Sequence, residues 1–460
     1  MKFSKAQVQA PVHSIPELQF ENKQLASFGG AVLIQALFQR LNLRQRLVSA
    51  FGVGAGAYGL VTVFIVIVTH LMLGLKCWRD RDAYQDDPLL QRVLHLRRLP
   101  DVSTISRTLS GVLSAVVERI RQVIRSLVLE RLRRSGLNRV TLDFDGSVQS
   151  TKRHAEGSSV GFNKAHKGQR SYYPLFCTLA QLGMFFDFHH RAGNVHDSNG
   201  AEQFVADCVR CVREALGSLV VEVRLDSAFF QEKLLDALHG LDVEFSASVP
   251  FERFPELKKI VLNTRERDWQ RINDVWSFRE ICWRPKSWTA STRYRIVLYR
   301  RRSLVQRKGP LQLDLFEPRD TQFEYKVVVT NKKVGAPAVL EFHNGRGAQE
   351  AIFGEAKNGA GLDYVPARSL VANQLFAAAC VLAHNLGREM LWESCQSQPR
   401  TTRNRAPSVA LRSLGSLQKH IFHRAGRFTR PQGTLVLTIA ANNKPRIEIK
   451  HMMAALRAAA

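Results

Sequence analysis

Residues 138–150 read NRVTLDFDGSVQS. β-Branched and apolar residues run up to a Gly-Ser pair, the signature of a strand that ends in a turn. Upstream the pattern is helical. After an extended start, apolar residues recur at three and four in FGGAVLIQALFQRLNL and again in LSGVLSAVVERIRQVIRSLVLERLRR. Between those runs, LPDVSTISRTLS offers Asp101 or Ser103 as a helix cap, followed by a short basic helix. Downstream, strand-like YYPLFCTLAQLGMFFDFHHR precedes a polar turn, the helical AEQFVADCVRCVREAL, the strand SLVVEVRLDSAFF, and a further helix and strand in LLDALHGLDVEFSASV. Strands alternating with helices predict a mixed α/β sheet. The change of period at residue 138 therefore divides a helical region from an α/β core.

From about 250 to 320 the chain is dense in Trp and Arg, and alternation in SFREICW and RYRIVLYR predicts an antiparallel β insertion rather than a continuation of the sheet. EYKVVVTN resumes the α/β pattern and VANQLFAAACVLAHNLGREML makes a long apolar helix. The expected organisation is a helical region (1–138) whose short turns and exposed arginines suit duplex DNA binding, a core in two parts (139–249 and 321–395), a β-rich insertion (250–320) and a basic C-terminal region (396–460). That last region is expected to be loosely ordered, with TLVLTI as a late strand.

Charge narrows the partners. Against 66 Lys and Arg stand 40 Asp and Glu, so 66 − 40 = +26. Such an excess favours polyanions, nucleic acid first and an acidic membrane surface second. The apolar run Leu60 to Val68 is too short for a membrane span and reads as a buried core helix. The N-terminus has no apolar stretch behind its lysines, so no signal peptide is expected, and a cytoplasmic location follows. Seven scattered cysteines imply reduced thiols, and the lone Cys208–Cys211 pair has no partner motif for zinc.

Three acidic positions stand out. Asp143 and Asp145 lie two apart on the first strand and share a face, where charge is costly unless it is used. Asp226 ends the strand VVEVRLD, and acidic strand ends are where open α/β sheets place their sites. Glu350 opens the helix in HNGRGAQEAIFGEAK, with Arg346 four residues before it and Lys357 seven after, all on one stripe. Such an oxygen-only set suits Mg²⁺, two ions of which activate a nucleophile and steady the leaving oxygen of a phosphodiester. Asp143 rivals Asp145 as first ligand, and the Gly-Ser directly after Asp145 favours the latter.

These residues resemble the bacterial insertion-sequence transposases of the DDE class, and within them the group with a Tyr-(2)-Arg-(3)-Glu-(6)-Lys signature. Arg346, Glu350 and Lys357 match that spacing, and His343 stands in the Tyr position. DFDGS resembles the first-acid motif at Asp145 and RLDSAFF the second at Asp226. FNKAHKGQRSYYPL, HRAGNVHDSNGAEQF and AHNL are similar to supporting blocks. The resemblance implies a ribonuclease-H-like core and a transposase that binds its element's terminal inverted repeats and performs two-metal cleavage and strand transfer. It also implies two Mg²⁺ ions (Mn²⁺ as substitute), double-stranded DNA as partner, a homodimer in a synaptic complex, and no membrane. Arg346, Lys357, His343, Lys164, Lys167 and Arg170 become candidate DNA contacts. One insertion tryptophan among Trp269, Trp276, Trp283 and Trp288 becomes a candidate for stacking on a flipped base. The rival functions are an inactive DNA-binding derivative and a metal-dependent nuclease without strand transfer.

Overall fold

A computed structural model of the chain describes residues 15–20, 23–52, 58–196, 199–289, 294–302, 323–400 and 402–458. Its centre is a nine-stranded mixed sheet. The strands are β1 (Arg139–Gly146), β2 (Leu175–Leu179), β3 (Met184–His189), β4 (Val220–Leu225), β5 (Glu244–Val249), β6 (Gln270–Arg271), β7 (Trp276–Ile281), β8 (Arg295–Arg302) and β9 (Phe323–Thr330). Their spatial order is β6-β7-β8-β9-β5-β4-β1-β2-β3. β1, β2 and β3 pair antiparallel, and β4 and β5 run parallel to β1. Five strands in the order 3-2-1-4-5 with those directions are the ribonuclease-H-like arrangement expected of the core.

The insertion departs from expectation. Its strands are antiparallel, but they continue the central sheet through β9 on β5 instead of standing apart. β5 would otherwise be an open edge, and an open edge is a pairing template. Residues 303–322 of the insertion lie outside the described residues.

Helices cover both faces. The main ones are α1 (Leu60–Met72), α2 (Ala115–Arg134), α3 (Ala201–Ala215), α4 (Glu232–Gly240), α5 (Ala336–Asn344), α6 (Ala348–Ala360) and α7 (Leu370–Glu393). Val205 and Val209 of α3 and Leu234 and Leu238 of α4 pack with Leu142, Phe144 and Val223 on one face. A second apolar cluster draws on residues from Ala26 to Leu456, with α7 at its centre and α1 packed on it. The described helices before residue 138 and the tail thus share one core. Arg131 shows the consequence: its guanidinium is buried against Glu389, at 2.6 and 2.7 Å, and Glu393. The tail is ordered where it is described, with a strand at Val436–Ile439 as expected and a helix at Asn443–Arg457. α1 is a buried core helix as read. α7 is long and apolar enough to cross a membrane, but 83% of its apolar window is buried inside the protein.

Where β1 and β4 meet, one face of the central sheet is polar. β1 and β4 pair in parallel with Thr141 opposite Glu222 and Asp143 opposite Arg224. The Glu222 carboxylate, fully buried, accepts hydrogen bonds from Thr141 (2.9 Å), Arg139 (2.8 Å), Lys332 (2.7 Å) and Arg405 (3.0 Å). Burial would raise its pKa, but Arg405 and Lys332 outweigh it and hold the carboxyl at about 2. A carboxyl depressed from an ordinary 4.5 stabilises the fold above 4.5 and loses that contribution as pH falls towards 2. The shift corresponds to about 3 kcal/mol. Glu222→Gln should therefore lower the melting temperature at neutral pH and flatten its decline between those two pH values, as thermal unfolding across pH would measure.

Candidate active site

The polar face of β1 and β4 is a ladder, and its rungs differ. The first, Thr141 and Glu222, is neutralised by the cations above. The second is an ion pair: Arg224 Nε and Nη2 donate to Asp143 Oδ1 and Oδ2 at 2.6 and 2.7 Å, with both side chains buried. Extending the offset (222 − 141 = 224 − 143 = 226 − 145 = 81) puts Asp145 beside Asp226 on the third rung, at the ends of the strands. Of these three rungs, it is the one with a carboxylate from each strand.

Asp143, the rival first ligand, is committed in this structure to an ion pair. Complete burial pushes its pKa up, Arg224 pulls it back, and both its oxygens are taken by the Arg224 fork. Sequence favoured Asp145 only through the Gly-Ser that follows it, because both aspartates share a face. What separates them is depth below the strand end and the partner at 224, which lies in another strand.

Asp145 and Asp226 are each partly exposed, at 22% and 27%. Asp145 Oδ1 accepts from the Gly146 amide (2.8 Å), and Asp226, capping the turn Ser227–Phe229, accepts from the Ala228 amide (2.8 Å). Between them stands Arg346, with Nη1 3.0 Å from Asp145 Oδ2 and Nη2 4.0 Å from Asp226 Oδ2. Two strands and the segment between two helices thus converge, although the three residues are far apart in sequence.

His343 and Asn344 end α5, and Arg346 sits in a short 3-10 link, Gly345–Gly347, before α6. The link is tight: a Cβ on Gly345 would lie 1.8 Å from the Asn404 carbonyl and 2.2 Å from Arg224 Nη1. Arg224 Nη1 also donates to the carbonyls of Phe342 (2.9 Å) and Asn404 (2.7 Å), so the second rung anchors α5 as well. Gln349, buried at the start of α6, donates to the Asp143 carbonyl at 3.0 Å.

Glu350 lies in the first turn of α6, beside Gln349, and is exposed. Among the described residues no group of three His, Cys, Asp or Glu side chains is gathered as a metal site. The structure therefore brings Asp145 and Asp226 together and leaves Glu350 at the rim. The donor set still suits a hard divalent ion: two carboxylates, one oxygen of each bound to a backbone amide.

Of the candidate DNA contacts, Lys357 is part-exposed on α6, and Lys164 and Lys167 are exposed on the loop next to a small sheet of Gln149–Ser150, Ser159–Val160 and Arg170–Tyr172. Two others are corrected. His343 is buried between Ser246 (2.9 Å) and Ser248 (2.8 Å) of β5, and burial with Lys326, Arg346 and Arg224 nearby keeps it neutral. It braces α5 and cannot reach a phosphate. Arg170 turns its guanidinium onto Ser158, by way of both the hydroxyl (3.1 Å) and the carbonyl, and so holds the small sheet. A cation the sequence did not single out is Lys326 of β9, which donates to Asn344 at 2.7 Å; burial and the nearby Arg346 lower its pKa.

The insertion tryptophans are all part-buried packers. Trp269 lies under the Arg300 guanidinium at 4.5 Å, Trp276 under Arg301 at 5.9 Å, and Trp283 against Phe254 at 5.0 Å. Trp288 lies 4.8 Å from Phe230, which is four residues beyond Asp226.

A family model described as "Transposase DDE domain group 1" matches residues 13–460. No curated protein matches the sequence. Among solved structures, the cryo-EM structure of the piggyBac transposase synaptic complex with hairpin DNA is similar at 10% identity and a TM-score of 0.41, covering 85% of this chain and 80% of that one. The Mos1 transposase paired-end complex with left transposon end is similar at 14% identity and a TM-score of 0.17, covering 52% and 61%. Strand order, not these likenesses, fixes the fold.

Proposed function

Because the chain belongs to the transposase DDE domain group 1 family, we propose that it cuts DNA at the ends of its own element and joins the freed 3′-hydroxyl to target DNA. The observation that carries this reading is the third rung, where Asp145 and Asp226 meet at the strand ends with Arg346 between their outer oxygens. Glu350, exposed in the first turn of α6, would be the third ligand. Two divalent ions, Mg²⁺ or Mn²⁺ in its place, supply Lewis-acid activation of water or a 3′-hydroxyl and charge neutralisation at the leaving oxygen. Arg346 and Lys357 hold the phosphates on either side of the bond, as a guanidinium fork and a point charge do. Lys164 and Lys167 follow the backbone farther out.

A charge of +26 suits a polyanionic substrate, and an acidic site within so basic a chain makes chemical sense when the substrate itself brings the negative charge. The element's terminal repeats are the specific ligand, held by two copies of the chain in one synaptic complex. The expected location is the bacterial cytoplasm, on the nucleoid.

Glu350→Gln should abolish cleavage of a fragment carrying both element ends while leaving end binding within about twofold. Being exposed, the side chain should also be replaced without loss of stability. Binding should fall steeply with salt, by about a thousandfold between roughly 50 and 200 mM if some six phosphates are contacted. Gel shifts and cleavage assays on one preparation measure both. Equal loss of binding and cutting would make Glu350 structural, and hydrolysis with no joined product would leave a nuclease.

A further inference from the structure

Arg346 addresses the same oxygens that a metal ion would need. Oδ1 of Asp145 and a side-chain oxygen of Asp226 are engaged by the amides of Gly146 and Ala228. Oδ2 of each faces one arm of the Arg346 fork, at 3.0 and 4.0 Å. A divalent ion held by the two acids would need oxygens that the guanidinium faces, and the two positive charges would repel in this part-buried site. Arg346 and metal would therefore compete for the acids.

Removing Arg346 from the acids requires another anion for it. A phosphodiester accepts a guanidinium through two oxygens and is the anion this chain is charged to attract. Two features ease the exchange. The side chain is 22% exposed and rises from a three-residue link, Gly345–Gly347, outside the body of α6. Lys326 places a second positive charge beside it. The base of the link, in contrast, is fixed by the close packing of Gly345 on Asn404 and Arg224, so the guanidinium swings while the backbone stays.

We infer that Arg346 couples metal loading to DNA binding: it neutralises Asp145 and Asp226 until a DNA phosphate draws it away, and only then do the acids take up metal. This rests on the metal-site reading above and adds to it an order of events. The coupling is reciprocal, so metal should also tighten DNA binding. A cutting enzyme built this way holds little metal when it is off DNA.

The test is Mn²⁺ binding to the full-length protein, followed by the paramagnetic resonance of the free ion, with and without a short duplex and with the signal of duplex alone subtracted. Wild type should bind Mn²⁺ about tenfold or more tightly with duplex, a coupling of ordinary size. Arg346→Gln should bind it about that tightly without DNA and gain little when duplex is added. Folding of each variant is checked by its melting curve. If wild type binds Mn²⁺ equally well with and without duplex, and Arg346→Gln matches it, the coupling is refuted while the metal site stands. If Asp145→Asn binds Mn²⁺ as wild type does in every condition, the metal-site reading itself fails, and the coupling with it.

Discussion

Asp145→Asn should lower DNA cleavage by on the order of a thousandfold or more, with duplex binding and melting temperature close to wild type. The carboxylate is part-exposed at a strand end, so an amide of the same shape is accommodated, and the Gly146 amide keeps an oxygen acceptor. What is lost is one of two negative charges facing each other across the third rung. Asp143→Asn, one rung deeper, should behave in the opposite way. It should cost stability first, because it strands a buried guanidinium, and activity only as a consequence. Cleavage in Mn²⁺ and thermal unfolding, run side by side on the two variants, separate the roles. An active Asp145→Asn beside a stable but inactive Asp143→Asn would exchange them and undo the ladder.

That contrast also marks how far the sequence could be read. The switch to strand at residue 138, the α/β alternation and the acids at two strand ends were legible because each is local: a period, a turn signal, a residue at a boundary. The spacing of Arg346, Glu350 and Lys357 was legible too, being a matter of a few residues. Pairings between distant segments were not. Nothing in SFREICW says that its strand will join, through β8 and β9, the edge left by β5, since alternation gives a face and not a neighbour. Arg224 reads as one polar residue in an apolar strand until Asp143 is placed opposite it. His343 fits a signature by position, yet its burial depends on β5 lying beneath α5, and the pattern around it carries no sign of that. Arg131, Arg170 and Arg224 add to a net charge that points to DNA, while their side chains hold the protein together. Net charge indicates the class of partner and leaves open which cations meet it.

Arg224→Met should be the most destabilising single change in the core, at about 3–5 kcal/mol, the usual result of leaving one partner of a buried ion pair alone. Arg224 is fully buried and joins four segments: β1 through Asp143, its own strand β4, α5 through the Phe342 carbonyl, and the loop at Asn404. The double variant Asp143→Leu with Arg224→Met tests whether the loss comes from stranded charge. With both charges gone, much of the stability should return, because apolar groups often replace a buried pair at little cost. Recovery should be incomplete, since the carbonyls of Phe342 and Asn404 lose their donor, and each orphaned acceptor costs about 1–3 kcal/mol. A double-mutant cycle by denaturant unfolding should thus give an interaction energy of about 2 kcal/mol. Additive losses would mean that the pair contributes no more than its separate packing, and that Asp143 is free to serve elsewhere. Cleavage by the recovered double variant carries a further consequence. Two residues beyond this rung, in both strands, stand the acids of the site, and four residues beyond Phe342 stands Arg346. A stable double variant that binds duplex but cuts slowly would mean that the second rung sets the spacing of the third.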